Sequence, residues 1–542
     1  IKGNTANIGA DGYMNAGTLD VNSNASGFYF VTMSGTATTN SPKIIPNVDG
    51  VQNESIFATN TLDYNYINSA LTGVATEENS CGWFSDETFV NGYTNTGVIT
   101  KLTADKILYT KMATLDKLAF TVANGEASVK AKDSSITGSV VIPRKYNGTL
   151  VTNVAASGFK STKVTTVTLS NSINKLNANS YDGCSTLTTI NLLNGITEIP
   201  TYAFINCSAL ESISIPNSVT TMKDYAFHGC YGLTKVNINS IENWCNINFS
   251  DWHANPLPFA GNLYLNNSLV ENLVIPETIT TIKPQTFRQC SSIKTVTMAN
   301  SVTKIENSAF FGCANLKSVT LSNNITVIDN HALRNCKSLT EINIPSSVTT
   351  IGSQAFDGCA SLTKVNITDL AKWCNIDFGY YSSNPLYYAH SLYLNGTKVT
   401  NLVIPNQITK IKKYAFYNGS FVSVTISNGV TDIEKNAFAG CSSLTTITIP
   451  NSVTIINTDA FAGCSKLVNI TTPILDAKFS NIFGHQATTV TLTKGTSIPD
   501  NYFKDYENLT SITILDSVTS IGRDTFDNCS SLTRLDIADL TA

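Results

Sequence analysis

Charge is what this sequence has little of: 14% of its 542 residues are charged, against about 25% in a typical soluble protein. The 35 Lys+Arg and 39 Asp+Glu leave a formal charge of -4. A nucleic-acid binder needs a basic stripe that replaces released counterions, and no Lys/Arg run exceeds a pair such as Lys412-Lys413, so nucleic acid is excluded as a partner. No stretch of 18 or more apolar residues occurs, so no transmembrane segment is expected. The chain opens at Ile1 without a basic n-region and apolar h-region, which fits a processed secreted protein. Mean hydropathy is +0.02; with so little charge, Ser, Thr and Asn supply the solubility.

Reactive chemistry is equally sparse. The five histidines, His228, His253, His331, His390 and His485, are far apart, and H-E-x-x-H, C-x-x-C, G-x-S-x-G, P-loop and G-x-G-x-x-G patterns are absent. His228 stands two residues before Cys230, but in a repeat turn their side chains belong to different faces. Asp251 and Asp377 are the acids one would nominate for glycan cleavage, which needs two carboxylates about 5 to 9.5 Å apart, yet they sit at non-equivalent places. The expectation is no catalytic residue, no metal site and no cofactor.

The thirteen cysteines suggest disulfides or zinc until their spacing is read. Nine of them run 184, 207, 230, then 290, 313, 336, 359, then 441, 464, and the step within each group is 23. A fixed period of 20 to 29 residues marks a solenoid with one supersecondary unit per turn. Gly419, Phe483 and Tyr506 hold the Cys position in other turns, which makes the thiol a packing choice. Equivalent cysteines on stacked turns would lie about 4.8 Å apart with parallel Cβ vectors, so buried free thiols are expected rather than disulfides.

One turn, Ser338 to Cys359, shows the physics. Ile342 and Ile344 alternate with Glu341 and Asn343, a short strand with one buried face. Pro345 ends it by removing a ladder donor. Val348 and Ile351 bury a second edge. Ala355-Phe356 fills the interior, and Gly358-Cys359 bends the chain into the next turn. The outward strand positions, among them Ser212/Ser214, Lys235/Asn237, Glu341/Asn343 and Lys364/Asn366, form a flat polar face. That face suits either a ligand held by many hydrogen bonds or a stiff solvated scaffold.

The frame I-x-x-x-A-F-x-G-C-x-x-L-x-x-V-x-I-P resembles the BspA-like class of bacterial leucine-rich repeats over residues 116–542, with Phe120-Thr121-Val122 and Asn124-Gly125-Glu126 resembling the entry cap. The fold expected is therefore a leucine-rich-repeat β-solenoid of about 23 residues per turn with two duplicated inserts, preceded by a β-rich N-terminal region, 1–115. In that region Gly82–Phe89 followed by Thr103–Lys111 resembles the end of an internalin-type B repeat, a β-grasp module. The resemblance implies an extracellular or surface-attached bacterial protein that adheres to host or bacterial surface proteins, extracellular matrix or glycans.

Two segments break the period, at about 239–267 and 368–396, and align at an offset of 129. A block of repeats has been duplicated. Trp244/Trp373, Cys245/Cys374, Phe249/Phe378 and Leu263-Tyr264-Leu265/Leu392-Tyr393-Leu394 are identical in both copies and are assigned to folding. Trp252-His253 against Tyr381-Ser382, with Tyr380 beside them, and Pro258-Phe259 against Tyr387-Tyr388 diverge and are aromatic. Interfaces favour such residues, so Trp252, His253, Tyr380, Tyr381, Tyr387 and Tyr388 are the candidate ligand-binding residues; the competing reading is that they cover small cores of the inserts. Binding or adhesion is the leading function, a non-binding envelope spacer the alternative, and a glycan-active enzyme the last.

Overall fold

The computed structural model describes residues 43–48, 51–52, 56–57, 78–81 and 106–538. The chain divides into two compact units, Ile1–Leu269 and Val270–Ala542, each taken by itself below. The B-repeat-like segment Gly82–Phe89 lies outside the described residues. Of the N-terminal region, strand Lys43–Val48 pairs in parallel with Lys106–Thr110 and antiparallel with Val51–Gln52 and Ile56–Phe57.

In the first unit Leu118–Ala123 and Glu126–Ala131 pair as a hairpin. Its turn places Asn124 (φ 53°) and Gly125 (φ 78°) in the left-handed region, the two-residue geometry that matches strand twist. The solenoid sheet then adds one parallel strand per coil through Thr137–Val141, Lys163–Thr168, Thr189–Asn191, Ser212–Ile215, Lys235–Ile238 and Leu263–Leu265. The register equates Ile190 with Ile213 and Val236, so the 23-residue period is the strand pairing itself.

The second unit repeats the plan. Strand Glu341–Ile344 has its two isoleucines buried and Glu341 and Asn343 exposed, and it stops before Pro345. Thr350–Ile351 supplies the second edge, paired in parallel with Val327–Ile328 and Asp377–Phe378. A seven-stranded sheet runs from Asn401–Val403 to Arg534–Ala538.

Three ladders hold successive coils together. Aromatic rings stack in the interior: Phe159, Tyr181, Phe204 and Phe227 at 5.3 to 5.4 Å in the first unit, and Phe416, Phe438, Phe461 and Phe483 at 5.2 to 5.3 Å in the second. Beside them most repeat cysteines donate their thiol proton to a main-chain carbonyl of the coil before, as Cys230 does to Phe204 (3.1 Å) and Cys336 to Phe310 (3.3 Å). The thiol therefore does more than fill space. On the surface, threonine hydroxyls donate to carbonyls 23 residues earlier, for instance Thr326 to Thr303 and Thr349 to Thr326 at 3.2 Å.

Phe483 is corrected in phase: it stacks on Phe461 and occupies the Phe column, and Gln486, three residues on, stands where Cys stands elsewhere and donates to the Cys464 carbonyl.

The inserts are not separate cores. In the first, helix Ile241–Asn246 is capped by the Ser240 hydroxyl, strand Asn248–Phe249 continues the second edge beside Thr221–Met222, helix Leu257–Ala260 follows, and Leu263–Leu265 joins the main sheet. Each insert is a widened coil that ends in a hairpin. Trp244 lies 5.4 Å from Phe249 at 59°, and Trp373 lies 5.4 Å from Phe378 at 60°. The same buried pair recurs at the same angle, which is the behaviour of packing residues.

Candidate functional site

The regular repeats reverse direction at their A-F-x-x-C segment, and they do so with two left-handed residues. One precedes Cys: Gly358 (φ 76°), Gly229 (φ 80°) or Asn206 (φ 60°). The other stands two residues before the column aromatic and is not glycine: Tyr202 (φ 58°), Tyr225 (φ 56°), Gln354 (φ 56°) and Tyr414 (φ 62°). While the aromatic column points inward, Tyr202 and Tyr225 remain 37% and 38% exposed. This edge of the coils is where the insert aromatics gather.

In the first unit Trp252 packs on His253 with ring centroids 3.5 Å apart, and His253 stacks on Tyr225 at 4.5 Å and 16°. Tyr202 continues the row 5.6 Å from Tyr225. His228 meets His253 edge-on at 4.6 Å, and Phe259 lies 6.3 Å from Trp252 and from Tyr231. Trp252 is 38% and Tyr231 76% exposed. Asp251 orders the bend: its carboxylate accepts from the Ala254 N–H (2.7 Å) and sits 3.2 Å from His253 Nδ1.

In the second unit six tyrosines converge. Tyr381 lies 4.2 Å from Tyr380, 5.1 Å from Tyr387 and 5.6 Å from Tyr417. Tyr387 meets Tyr388 edge-on at 4.7 Å, and Tyr414 is 6.0 Å from Tyr417. Tyr380 is 40% exposed. Tyr388 is tied inward, its hydroxyl accepting from the Gly358 N–H (2.9 Å) and donating to Asp357 (3.1 Å). The Tyr380 hydrogen bond pushes the Tyr381 hydroxyl pKa up, and burial does the same for Tyr388 and Tyr417, so these groups stay neutral.

All six residues expected from the sequence thus fall in two aromatic clusters, His253 and Trp252 in one and the four tyrosines in the other. Sequence reading missed Tyr202, Tyr225 and Tyr231 in the first and Tyr414 and Tyr417 in the second. They come from ordinary repeat turns; Tyr202, Tyr225 and Tyr414 stand two residues before the column aromatic, where other turns carry polar residues, while Tyr417 directly follows Phe416 and Tyr231 directly follows Cys230.

The nominated reactive residues have other partners within their own units. Cys230 is buried with its thiol on the Phe204 carbonyl, and burial pushes its pKa up to about 12, while His228 faces the edge cluster. Asp377 pairs with Lys412 at 2.5 Å. Among the described residues no group of three His, Cys, Asp or Glu could hold a metal ion, and no helix is long and apolar enough to cross a membrane.

Parallel strands advancing one per 23-residue coil, with a consensus of buried Leu, Ile, Phe and Cys, define a leucine-rich-repeat solenoid. The chain belongs to the BspA type leucine rich repeat family, whose model matches six copies over residues 147–255, 260–383, 389–485 and 496–541. No curated protein matches it. Among solved structures it is similar to a leucine-rich repeat protein of Bacteroides ovatus (20% identity, 78% of this chain and 93% of that one, TM-score 0.44). It is also similar to a leucine rich cell surface protein of Faecalibacterium prausnitzii (22% identity, 78% and 94%, TM-score 0.27). Solenoids of this family are in general non-enzymatic binding scaffolds.

Proposed function

We propose that the protein is an extracellular or surface-attached bacterial adhesin that binds proteins or glycans of host or neighbouring cells along the aromatic edge of its coils. The observation that carries this is the tyrosine cluster: Tyr380, Tyr381, Tyr387, Tyr388, Tyr414 and Tyr417 come from three separate segments yet form one contiguous patch. Tyrosine offers large, stiff, amphipathic contact area at low entropic cost. Solenoid packing alone does not call for it, because the equivalent turn of the other copy carries Gln285 and Arg288 where Tyr414 and Tyr417 stand.

The test is attachment of the purified chain to immobilised matrix proteins and a glycan array, repeated with Trp252→Ala and Tyr380→Ala. Loss of a specific signal in either variant supports the reading; unchanged attachment in both removes it. The alternative, a spacer, is favoured by the uniform threonine ladders and exposed ion pairs such as Lys294–Glu271 (2.6 Å), which stiffen a surface without recognising anything.

A further inference from the structure

The strand face of the second unit is not flat throughout. A groove of about 580 Å³ lies across strands Ser318–Thr320, Glu341–Ile344 and Lys364–Ile367, reached by the hairpin turn Asn395-Gly396. Its volume is that of a small-ligand site. The Asn395 N–H donates to the Ile367 carbonyl (3.0 Å) and fixes the turn beside the groove.

The lining is specific in its chemistry. Asn323, Asn343, Asn366 and Asn395 present amides, and Glu341 and Lys364 cancel each other in charge at 3.6 Å while remaining 50% and 36% exposed. The aliphatic side chains at the floor, Leu321, Ile344 and Ile367, are no more than 7% exposed. The accessible lining is split almost evenly between polar and apolar surface, and no aromatic side chain lines it. Paired donors and acceptors around an uncharged opening fit a ligand that is itself rich in hydroxyls.

The duplicated block supplies an internal comparison. The first copy keeps the frame, with Lys235, Asn237 and Tyr264 matching Lys364, Asn366 and Tyr393, and each lysine sits 4.6 to 4.9 Å over its tyrosine ring. There, however, the turn carries Asn267: its side chain accepts from Lys235 Nζ (3.2 Å) and its N–H donates to the Asn237 side chain (2.9 Å). The same polar groups are spent on the fold. In the second copy that position is Gly396, where an added Cβ would meet nothing within 4 Å, and Glu341 and Asn343 replace Ser212 and Ser214.

From this we infer that the groove under Asn395-Gly396 is a binding site for an uncharged oligosaccharide, held by the amides, Glu341 and Lys364, and separate from the aromatic edge. The first copy is the same site closed by its own asparagine.

Both copies provide variants that the fold already accepts. Gly396→Asn installs the first copy's turn, and asparagine tolerates the left-handed backbone there (φ 80°, against 64° at Asn267). Glu341→Ser/Asn343→Ser installs its outward strand residues. The full chain is titrated by calorimetry with cellotetraose, maltotetraose, mannotetraose and lacto-N-tetraose, with sialyllactose and tetraglycine as charged and peptide probes. At least one neutral sugar is expected to bind with a submillimolar Kd, and each variant to weaken it by roughly tenfold or more. The inference is overturned if no neutral sugar binds, if sialyllactose or tetraglycine binds better, or if both groove variants bind like the parent.

Discussion

Cys359 Sγ donates to the Leu333 carbonyl of the preceding coil at 3.3 Å, deep in a column where burial pushes its pKa up to about 12. Cys230 and Cys374 are pushed equally far. A thiol whose folded pKa is raised favours the folded state while it stays protonated. That contribution is complete below the unfolded value near 9 and is lost as pH rises toward 12. Buried Tyr181 and Tyr506 are shifted in the same direction. The denaturation midpoint should therefore fall steadily between pH 9 and pH 11, and a flat profile there would contradict the placement. Thiol titration of the native chain should find almost none reactive, and of the denatured, unreduced chain nearly all thirteen.

Tyr181 takes a Phe place in the ring column, 5.4 Å from both Phe159 and Phe204, and its buried hydroxyl finds no hydrogen-bond partner. An unsatisfied buried hydroxyl costs about 1 to 3 kcal/mol. Tyr181→Phe is expected to raise stability by about 1 kcal/mol, read as a higher denaturant midpoint with the same m-value. A lower midpoint would mean that the hydroxyl has a use.

Phe438 stacks between Phe416 and Phe461 at 5.2 and 5.3 Å. Phe438→Ala should cost about 3 to 5 kcal/mol, as large-to-small core changes do. Because each coil touches only its neighbours, that local loss should also broaden or split the melting transition. A variant that melts in one step within a degree of the parent would remove Phe438 from the column.

The period, the Phe column and the duplication were legible because each is a repeated apolar residue at a fixed spacing, and repetition separates signal from chance. Phase was lost where the repeat shortens by one residue: Phe483 was taken for a Cys position until its stacking on Phe461 placed Gln486 there. The inserts read only as breaks in the period because their strands, Asn248–Phe249 and Asp377–Phe378, are two residues long and show no periodicity. Half of the edge clusters escaped for a different reason. Whether Tyr225 or Tyr414 faces out depends on the sign of φ at that residue, and hydrophobic pattern carries no information about it. The groove was invisible since it depends on Gly396 lacking a side chain, which only the comparison with Asn267 makes meaningful.

Retained and divergent insert aromatics should separate in their effects. Trp373 is 1% exposed and donates from Nε1 to the Ala415 carbonyl at 3.0 Å, where Asn384 Nδ2 also donates at 3.0 Å. It links the widened coil to the next one. Trp373→Ala should therefore cost about 3 to 5 kcal/mol of stability and impair attachment only through that loss. Tyr388 belongs on the same side, since its hydroxyl holds Gly358 and Asp357; Tyr388→Phe should cost about 1 kcal/mol. Trp252 and Tyr380 are the insert aromatics with the most exposed surface in their clusters. Truncating each to Ala should leave the melting temperature nearly unchanged and weaken attachment by up to about 2 kcal/mol, roughly thirtyfold in Kd. Parallel melting and binding measurements on the four variants decide it. If Trp252→Ala and Tyr380→Ala bind like the parent, the aromatic edge only seals the coils, and recognition moves to the strand face.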